Sequence, residues 1–269
     1  MKIAYSNLAS PEWSMEEVFS NAQKFGYDGV EIRLLDGEVI PSVLDESTRN
    51  SIVRLARAHE IEIVGLGAST RFATADADER EQNEEDLFRF IELAAQMEVP
   101  MVRTFGGGAT AGGAEAGDAI RWVAESLNRV AERAEELGVS VLLETHDEFS
   151  HSWMVRDVLK QVESKAIGAI WDIHHPYRMG ESMEDTYDNL RAGLQHVHLK
   201  DARKHGDGWD LVVFGEGEVP VKAIVKKLID EGYDRYLCVE WEKKWHPEIE
   251  AASTALPKHI EVLRQYLAD

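Results

Sequence analysis

Four segments of the sequence end in side chains of the kinds that bind metal ions. Glu144 closes the run Val-Leu-Leu-Glu, Asp172 closes Ile-Trp-Asp, His198 lies in His-Val-His-Leu-Lys, and Glu240 closes Leu-Cys-Val-Glu. Each run is short and apolar, which is typical of a buried strand that delivers an ionisable group to one end. A single residue of this kind more often completes a structural ion pair, but four in succession predict a shared site.

Three carboxylates held close together in a low-dielectric pocket repel one another unless a divalent cation neutralises them. Ligation by oxygen with one nitrogen suits manganese, magnesium, cobalt or iron better than a structural zinc ion, which prefers thiolates. The pattern therefore predicts one divalent metal ion bound by Glu144, Asp172, His198 and Glu240, with Mn²⁺ as the favoured metal.

Further polar residues are expected on the same faces as these ligands. Side chains two positions apart share one face of a strand. This spacing and the charged residues of earlier strands select His146, His174, Lys200, Glu31, Arg33 and Arg103. These are donors and acceptors suited to a polyhydroxylated ligand. An ion pair inside the fold fits Glu31 and Arg33 equally well, and Arg103 fits equally well as compensation for the carboxylates.

The elements that position these residues alternate, eight times, between short apolar segments and longer segments of helical periodicity. The predicted strands cover Lys2 to Asn7, Gly29 to Leu34, Ile61 to Ser69, Met101 to Gly106, Ser140 to His146, Ile167 to His174, Gln195 to Lys200 and Arg235 to Glu242. The predicted helices cover Met15 to Phe25, Glu46 to His59, Asn83 to Met97, Asp118 to Leu137, Ser152 to Glu163, Met183 to Ala192, Val221 to Glu231 and Pro247 to Leu267.

Eight strand-then-helix units predict an α/β protein, a (β/α)₈ TIM barrel that forms a single domain over residues 1–269. A doubly wound open sheet shares the alternation, but the first strand-helix turn, Ser6-Asn7-Leu8-Ala9-Ser10, lacks a dinucleotide-binding fingerprint. In a barrel, charged strand residues point to the mouth at the carboxyl ends of the strands, where active sites lie. The predicted ligands meet there.

Charge and composition exclude several classes of partner. The 50 acidic and 29 basic residues give a net charge of -21, which repels phosphate backbones and anionic membranes. We therefore expect no nucleic acid and no membrane as a partner. The absence of a signal-like start and of a long apolar run predicts a cytoplasmic protein, and the single Cys238 excludes an internal disulfide framework.

The sequence resembles the xylose isomerase-like barrel superfamily of sugar phosphate isomerases and epimerases, which includes ketose 3-epimerases, hydroxypyruvate isomerases and inosose dehydratases. The resemblance rests on Gly-Tyr-Asp-Gly-Val-Glu-Ile-Arg from Gly26, Leu-Glu-Thr-His from Leu143, Trp-Asp-Ile-His-His-Pro from Trp171, His-Val-His-Leu-Lys-Asp from His196, Gly-Glu-Gly-Glu-Val-Pro from Gly215 and Val-Glu-Trp-Glu from Val239. It implies the same four metal ligands, and a substrate contact by His175, three residues after the metal aspartate.

The resemblance also implies an activity. The expected enzyme is a metal-dependent sugar isomerase or epimerase that acts on a ketose or keto-polyol, by proton abstraction next to the carbonyl through a metal-bound enediolate. Glu144 and Glu240 would move the proton. Lys200 would stabilise the developing oxyanion, although a structural ion pair with Asp201 or Glu240 fits equally well.

Three alternatives share parts of this pattern. A dehydratase of the inosose or 3-dehydroshikimate type uses the same proton abstraction and then expels a hydroxyl group, for which His146, His174 or Lys200 would be the acid. Endonuclease IV shares the barrel, but it needs more histidines and a basic surface. A sugar-binding protein without catalysis would not need all four ligands. Relatives in the superfamily often form dimers or tetramers, so a homo-oligomer is expected.

Overall fold

The computed structural model describes residues 1–108 and 115–268. The strands are β1 (Lys2–Ser6), β2 (Gly29–Ile32), β3 (Leu34–Leu35), β4 (Glu38–Val39), β5 (Glu62–Gly67), β6 (Met101–Phe105), β7 (Ser140–Glu144), β8 (Ile167–Asp172), β9 (Leu194–Leu199), β10 (Asp201–His205), β11 (Gly208–Val212) and β12 (Tyr236–Val239). The helices are α1 (Met15–Phe25), α2 (Glu46–Ala58), α3 (Ala77–Gln96), α4 (Ala116–Leu137), α5 (Ser152–Leu159), α6 (His174–Arg178), α7 (Met183–Leu190), α8 (Val221–Asp230) and α9 (Ala252–Ala268).

Eight strands within the described residues form a closed barrel, in the order β1, β12, β9, β8, β7, β6, β5 and β2. Two small hairpins, β3 with β4 and β10 with β11, stand apart from the barrel sheet. The predicted TIM barrel is confirmed, and the open sheet is excluded. Among the described helices, none combines the length and the hydropathy needed to cross a bilayer.

The chain groups into two compact units. The first unit consists of Met1–Ile40, Asn50–Val64 and Val197–Asp269, and the second of Pro41–Arg49 and Gly65–His196. Within the first unit, β2, β1, β12 and β9 pair side by side, all in parallel. Within the second, β5, β6, β7 and β8 do the same. The single domain over residues 1–269 stays a prediction.

An apolar layer lies beneath the predicted site residues of the second unit. Met101, Leu142 and Ile170 form one buried cluster, and the side chain of Met101 occupies the space that a Cβ on Gly65 would need. Side chains on one face of a strand recur every second residue. The residues two positions further along the same three strands are Arg103, Glu144 and Asp172.

The first unit also contains a small buried apolar cluster. Ala4, Val64 and Cys238 form a buried cluster, in which the thiol acts as a small apolar side chain. Glu240 lies two positions beyond Cys238, just after β12 ends. The period of two thus places Arg103, Glu144 and Asp172 on the face of the apolar cluster in the second unit, and Glu240 on that of the cluster in the first.

The strands end earlier than the sequence pattern predicts. The predicted strand from Ile167 to His174 stops at Asp172, and His174 begins α6 instead. The cause is local, because one carboxylate oxygen of Asp172 accepts the backbone N–H groups of His174 (2.9 Å) and His175 (3.4 Å). An aspartate that accepts N–H groups two and three residues ahead turns the chain into a helix. The prediction that β8 extends to His174 was wrong.

Asp201 holds the segment Gly215 to Val219 in place. One oxygen accepts the N–H groups of Ala202 (2.9 Å) and Val219 (3.2 Å), and the other accepts those of Gly215 (2.8 Å) and Gly217 (3.1 Å). Burial raises the pKa of Asp201, and these four hydrogen bonds oppose that shift. The carboxylate of Asp201 therefore has a structural role, as the hydrogen-bond acceptor for the backbone of this segment.

Replacing Gly217 by alanine should destabilise the protein. A Cβ at this position would overlap Oδ1 of Asp201 and lie 2.6 Å from the backbone oxygen of Ala202. We expect Gly217→Ala to lower the free energy of unfolding by about 1–3 kcal/mol in urea titrations, as overpacking does. Gly117→Ala is the matched control, because no heavy atom lies within 4 Å of a Cβ there. It lies inside α4 and should leave stability unchanged or raise it by up to about 1 kcal/mol. Equal effects of the two substitutions would contradict this account.

His259, on α9, is buried in an aromatic cluster. Its ring centroid lies 4.3 Å from that of Phe214 and 5.1 Å from that of Trp241, whose indole N–H donates to the backbone oxygen of Glu250 at 2.9 Å. Burial, with a smaller contribution from Lys258, lowers the pKa of His259 from 6.5 to about 3. The imidazole is therefore neutral in the folded protein at neutral pH.

This buried histidine should make stability depend on pH. Below pH 6.5 the unfolded chain binds a proton at His259 that the folded chain does not bind until about pH 3, so the free energy of unfolding falls as the pH falls through this window. The contribution is about 1.4 kcal/mol per pH unit, or about 2 kcal/mol between pH 7 and pH 5.

His259→Leu tests this expectation, because leucine does not titrate. Urea titrations at several pH values should show that the stability of the variant relative to the wild type rises by about 2 kcal/mol from pH 7 to pH 5. A constant difference over this range would show that His259 titrates normally in the folded protein.

Candidate active site

Two neighbouring strands of the second unit end in buried carboxylates. Glu144 is the last residue of β7 and Asp172 is the last residue of β8, with 1% and 0% of their surfaces exposed. Thr145 ties the two strand ends together, because its hydroxyl group accepts the backbone N–H of Asp172 at 3.0 Å and donates to its backbone oxygen at 3.2 Å. The two predicted ligands of this unit are held on a rigid backbone.

Arg103 lies beside Glu144. Its Nε is 3.5 Å from Oε2 of Glu144, and its guanidinium carbon lies 3.9 Å from the ring centroid of Phe105. Both charged side chains are buried, so each reduces the desolvation cost of the other, and the aromatic face adds a cation–π contact. This contact fits the charge-compensating role, and the predicted contact of Arg103 with a substrate stays a prediction.

Three predicted histidines lie near the strand ends of the second unit. His146 is partly exposed, and its ring centroid lies 4.4 Å from that of His175. His175 approaches Asp172, with 3.6 Å between its Nε2 and the aspartate Oδ2, and its ring centroid lies 5.9 Å from that of His174. The structure thus brings these imidazoles together beside one candidate ligand, and their contacts with a substrate stay predictions.

Asp147 is a polar residue of this region that sequence reasoning missed. Its Oδ1 lies 3.0 Å from Nδ1 of His146, and its backbone has a φ of +49°, in the left-handed region. The hydrogen bond from His146 holds the pKa of Asp147 below its usual range against the effect of burial, and the positive charges of Arg71 and Arg178 add to the shift. A non-glycine residue in this conformation marks a strained turn, which no sequence pattern signalled.

The first unit holds His198 between two carboxylates. The Nε2 of His198 lies 2.8 Å from Oε2 of Glu31, and its Nδ1 lies 3.7 Å from Oε1 of Glu240. β9 and β12 pair in parallel, and the backbone N–H of Glu240 donates to Leu199 at 3.0 Å. His198 and Glu31 are fully buried, and Glu240 is 6% exposed.

Lys200 lies between two glutamates of the same unit. Its Nζ is 2.6 Å from Oε2 of Glu240 and forms a second ion pair with Glu242. Sequence reasoning missed Glu242, although it lies two positions after Glu240, so the period of two would have found it. The ion pair of Lys200 with Glu240, one of the two predicted roles, is present, whereas its role toward an oxyanion stays a prediction.

Arg33 is buried, with 6% of its surface exposed. Its backbone N–H donates to Oδ1 of Asn7 at 2.7 Å, and the same oxygen accepts the N–H of Leu34 at 2.8 Å. The amide of Asn7 therefore holds the chain where β2 ends, a role that the sequence pattern did not indicate. The prediction that the Arg33 side chain contacts substrate stays a prediction.

Candidate metal ligands are thus present in both units. The second unit offers the carboxylates of Glu144 and Asp172, and the first offers the carboxylate of Glu240 and the imidazole of His198. All four are buried at or next to the carboxyl ends of barrel strands. Carboxylate and imidazole donors are groups that bind divalent cations.

Comparisons with known proteins find relatives that cover most of the chain. Fructoselysine 3-epimerase of Escherichia coli O157:H7 is 28% identical over 252 residues, which cover 89% of this chain and 90% of that protein. Inosose isomerase of Bacillus licheniformis is 23% identical over 287 residues, with 99% of both chains covered.

Among solved structures, the IOLI protein with a binding zinc atom superimposes with a TM-score of 0.85 and 18% identity, and covers 100% of this chain and 98% of that chain. At this identity the likeness shows the fold.

Residues 19–266 match the family described as Xylose isomerase-like TIM barrel. This match spans most of the chain, and the relatives named above are an epimerase and an isomerase. The chain is therefore an enzyme that belongs to the xylose isomerase-like TIM barrel family.

Proposed function

We propose that this enzyme is a divalent-metal-dependent epimerase or isomerase of a ketose or keto-polyol. One observation carries the proposal: Glu144 and Asp172 in the second unit, and His198 and Glu240 in the first, are all buried side chains of metal-binding types at or next to the carboxyl ends of barrel strands. Within the second unit β7 pairs with β8, and within the first unit β9 pairs with β12. Relatives named as a 3-epimerase and an isomerase support the reaction class.

The chemistry of the donor set fits a hard or borderline divalent ion. Three carboxylates and one imidazole are available, all buried, and a group of buried carboxylates is costly without a cation among them. Arg103 beside Glu144 and Lys200 beside Glu240 reduce that cost in part. Oxygen-rich ligation with one nitrogen favours manganese, with magnesium, cobalt and iron as close competitors.

When bound, a divalent ion polarises the carbonyl group of the sugar and makes the neighbouring C–H bond more acidic. Glu144 and Glu240 are the carboxylates that we assign to proton transfer. One removes the proton from the carbon next to the carbonyl, and the other returns a proton from the opposite side, which inverts the carbon. Lys200 holds Glu240 in place and supplies positive charge where negative charge develops.

Polar side chains of the same strand ends suit a substrate with several hydroxyl groups. We assign substrate binding to His175, His146, His174, Arg103, Glu31 and Arg33. The imidazole of His146 is 27% exposed, whereas that of His175 is 7% exposed, so His146 is the more accessible of the two. Their ring nitrogens both donate and accept hydrogen bonds, as hydroxyl recognition requires.

Removal of the metal should abolish activity. We expect a chelator-treated and desalted enzyme to lose turnover and Mn²⁺ to restore it.

Asp172→Asn keeps the shape of the side chain but removes its charge. This substitution should lower kcat/KM by more than about 100-fold and weaken Mn²⁺ binding, measured by calorimetric titration. Asp188→Asn is the matched control, because this aspartate is 72% exposed on α7. Full activity after chelation, or an Asp172→Asn variant equal to the control, would refute the metal site.

The reaction class can be read from isotope exchange. The enzyme with Mn²⁺ is incubated in heavy water with fructose, tagatose, fructoselysine and an inosose. An epimerase or isomerase should place one deuterium next to the carbonyl and keep all oxygens, as read by mass spectrometry and NMR. Glu144→Gln and Glu240→Gln should each slow this exchange by at least about 100-fold at saturating Mn²⁺, whereas Glu248→Gln, at a 70% exposed position, should not. Loss of one water from the product would instead identify a dehydratase.

A further inference from the structure

We infer that Glu31 is a positioning residue that fixes the imidazole of His198, so that Nδ1 is the atom that binds the metal. This inference rests on the metal site proposed above. It gives Glu31 a role through His198, in addition to the substrate contact assigned to it above.

The hydrogen bond between the two residues is short and fully buried. Oε2 of Glu31 lies 2.8 Å from Nε2 of His198, and neither side chain is exposed to solvent. Glu31 lies on β2, whose pairing with β1 places it opposite Ser6, so the carboxylate is presented from a rigid strand. A buried bond to a carboxylate is among the stronger hydrogen bonds in proteins and holds the ring in one orientation.

This bond decides which ring nitrogen is available. Histidine accepts a metal through a nitrogen that carries no proton, and the proton position is set by the hydrogen bond of the other nitrogen. Because a carboxylate accepts, Nε2 must donate its N–H to Glu31, which leaves Nδ1 as the ligand atom. Nδ1 is also the nitrogen that faces the candidate ligand Glu240, at 3.7 Å from Oε1.

The carboxylate of Glu31 could itself bind a metal ion. Possible ligand atoms of Glu31, Cys238 and His198 lie within 4.8 Å of one another. The geometry nevertheless favours a hydrogen bond. Two ligand atoms on one ion at about 2.1 Å each, separated by a right angle or more, lie about 3 Å or more apart, whereas Glu31 and His198 approach to 2.8 Å. A carboxylate behind a metal-binding imidazole also makes that imidazole a stronger donor.

The test uses two substitutions of Glu31 and one matched control. Glu31→Gln keeps a side-chain oxygen that accepts from Nε2, whereas Glu31→Leu removes the acceptor. The control is Glu16→Leu. Oε1 of Glu16 lies 2.9 Å from Nε2 of His59, so this is also a glutamate–histidine pair, but it lies on the surface. Circular dichroism and urea titrations establish that each variant is folded.

The first readout is the Mn²⁺ dissociation constant, measured by competition with a chelating dye. Glu31→Leu should raise it by about 10- to 100-fold, whereas Glu31→Gln should stay within about 5-fold of the wild type and Glu16→Leu should equal it. Equal dissociation constants for the wild type and Glu31→Leu would overturn the inference. So would an equal loss in Glu31→Gln and Glu31→Leu, because a metal-binding Glu31 gives that result. A wild-type protein that binds no Mn²⁺ would instead refute the proposed metal site.

The second readout needs no variant of Glu31. Long-range proton–nitrogen NMR spectra of the zinc-loaded wild-type protein should show a protonated Nε2 in His198 and zinc on Nδ1, with His198→Gln used for assignment. Zinc on Nε2 would overturn the inference even if Glu31→Leu does not fold.

Discussion

The cost of burying negative charge is the constraint on which the rest of this structure depends. Glu144, Asp172, Glu240 and Glu31 are all almost inaccessible to solvent. An ionised carboxylate in such surroundings must have a cation or several hydrogen bonds, or it takes up a proton. In the structure, each of these carboxylates has its own positively charged or hydrogen-bonding partner. These partners are residues of the candidate active site.

Each carboxylate has a different partner, and the partners suggest different roles. Arg103 lies beside Glu144, and Lys200 lies between Glu240 and Glu242. Asp172 accepts two backbone N–H groups through one oxygen, which turns the chain from β8 into α6. Backbone donors thus stabilise the charge of Asp172, whereas buried cationic side chains stabilise those of Glu144 and Glu240.

On several barrel strands, a buried apolar residue is followed two positions later by a charged residue of the candidate site. Met101, Leu142 and Ile170 form an apolar layer, and charged residues follow two positions later on each strand. In the first unit, Ala4, Val64 and Cys238 form a second apolar cluster, and Glu240 follows two positions after Cys238. Because rigid, packed strands hold the charged residues, little conformational entropy remains to be lost when a ligand binds.

The sequence by itself determined the alternation of strands and helices, because apolar residues recur with the period of a helix in some segments and form short strand-like runs in others. It predicted the bounds of α1, which the structure shows unchanged at Met15–Phe25, and it placed Glu144, Asp172, His198 and Glu240 at or near strand ends. It also offered two roles for Lys200, one of which was the ion pair with Glu240.

Only the tertiary structure decided which side chains meet. Glu31 and His198 are 167 positions apart, and no local pattern specifies that their atoms lie 2.8 Å apart. The early end of β8 at Asp172, and the left-handed turn at Asp147, depend on hydrogen bonds and strain that propensities do not encode. Strand periodicity is a property of consecutive residues, whereas hydrogen bonds and ion pairs between distant strands depend on the register of the closed sheet.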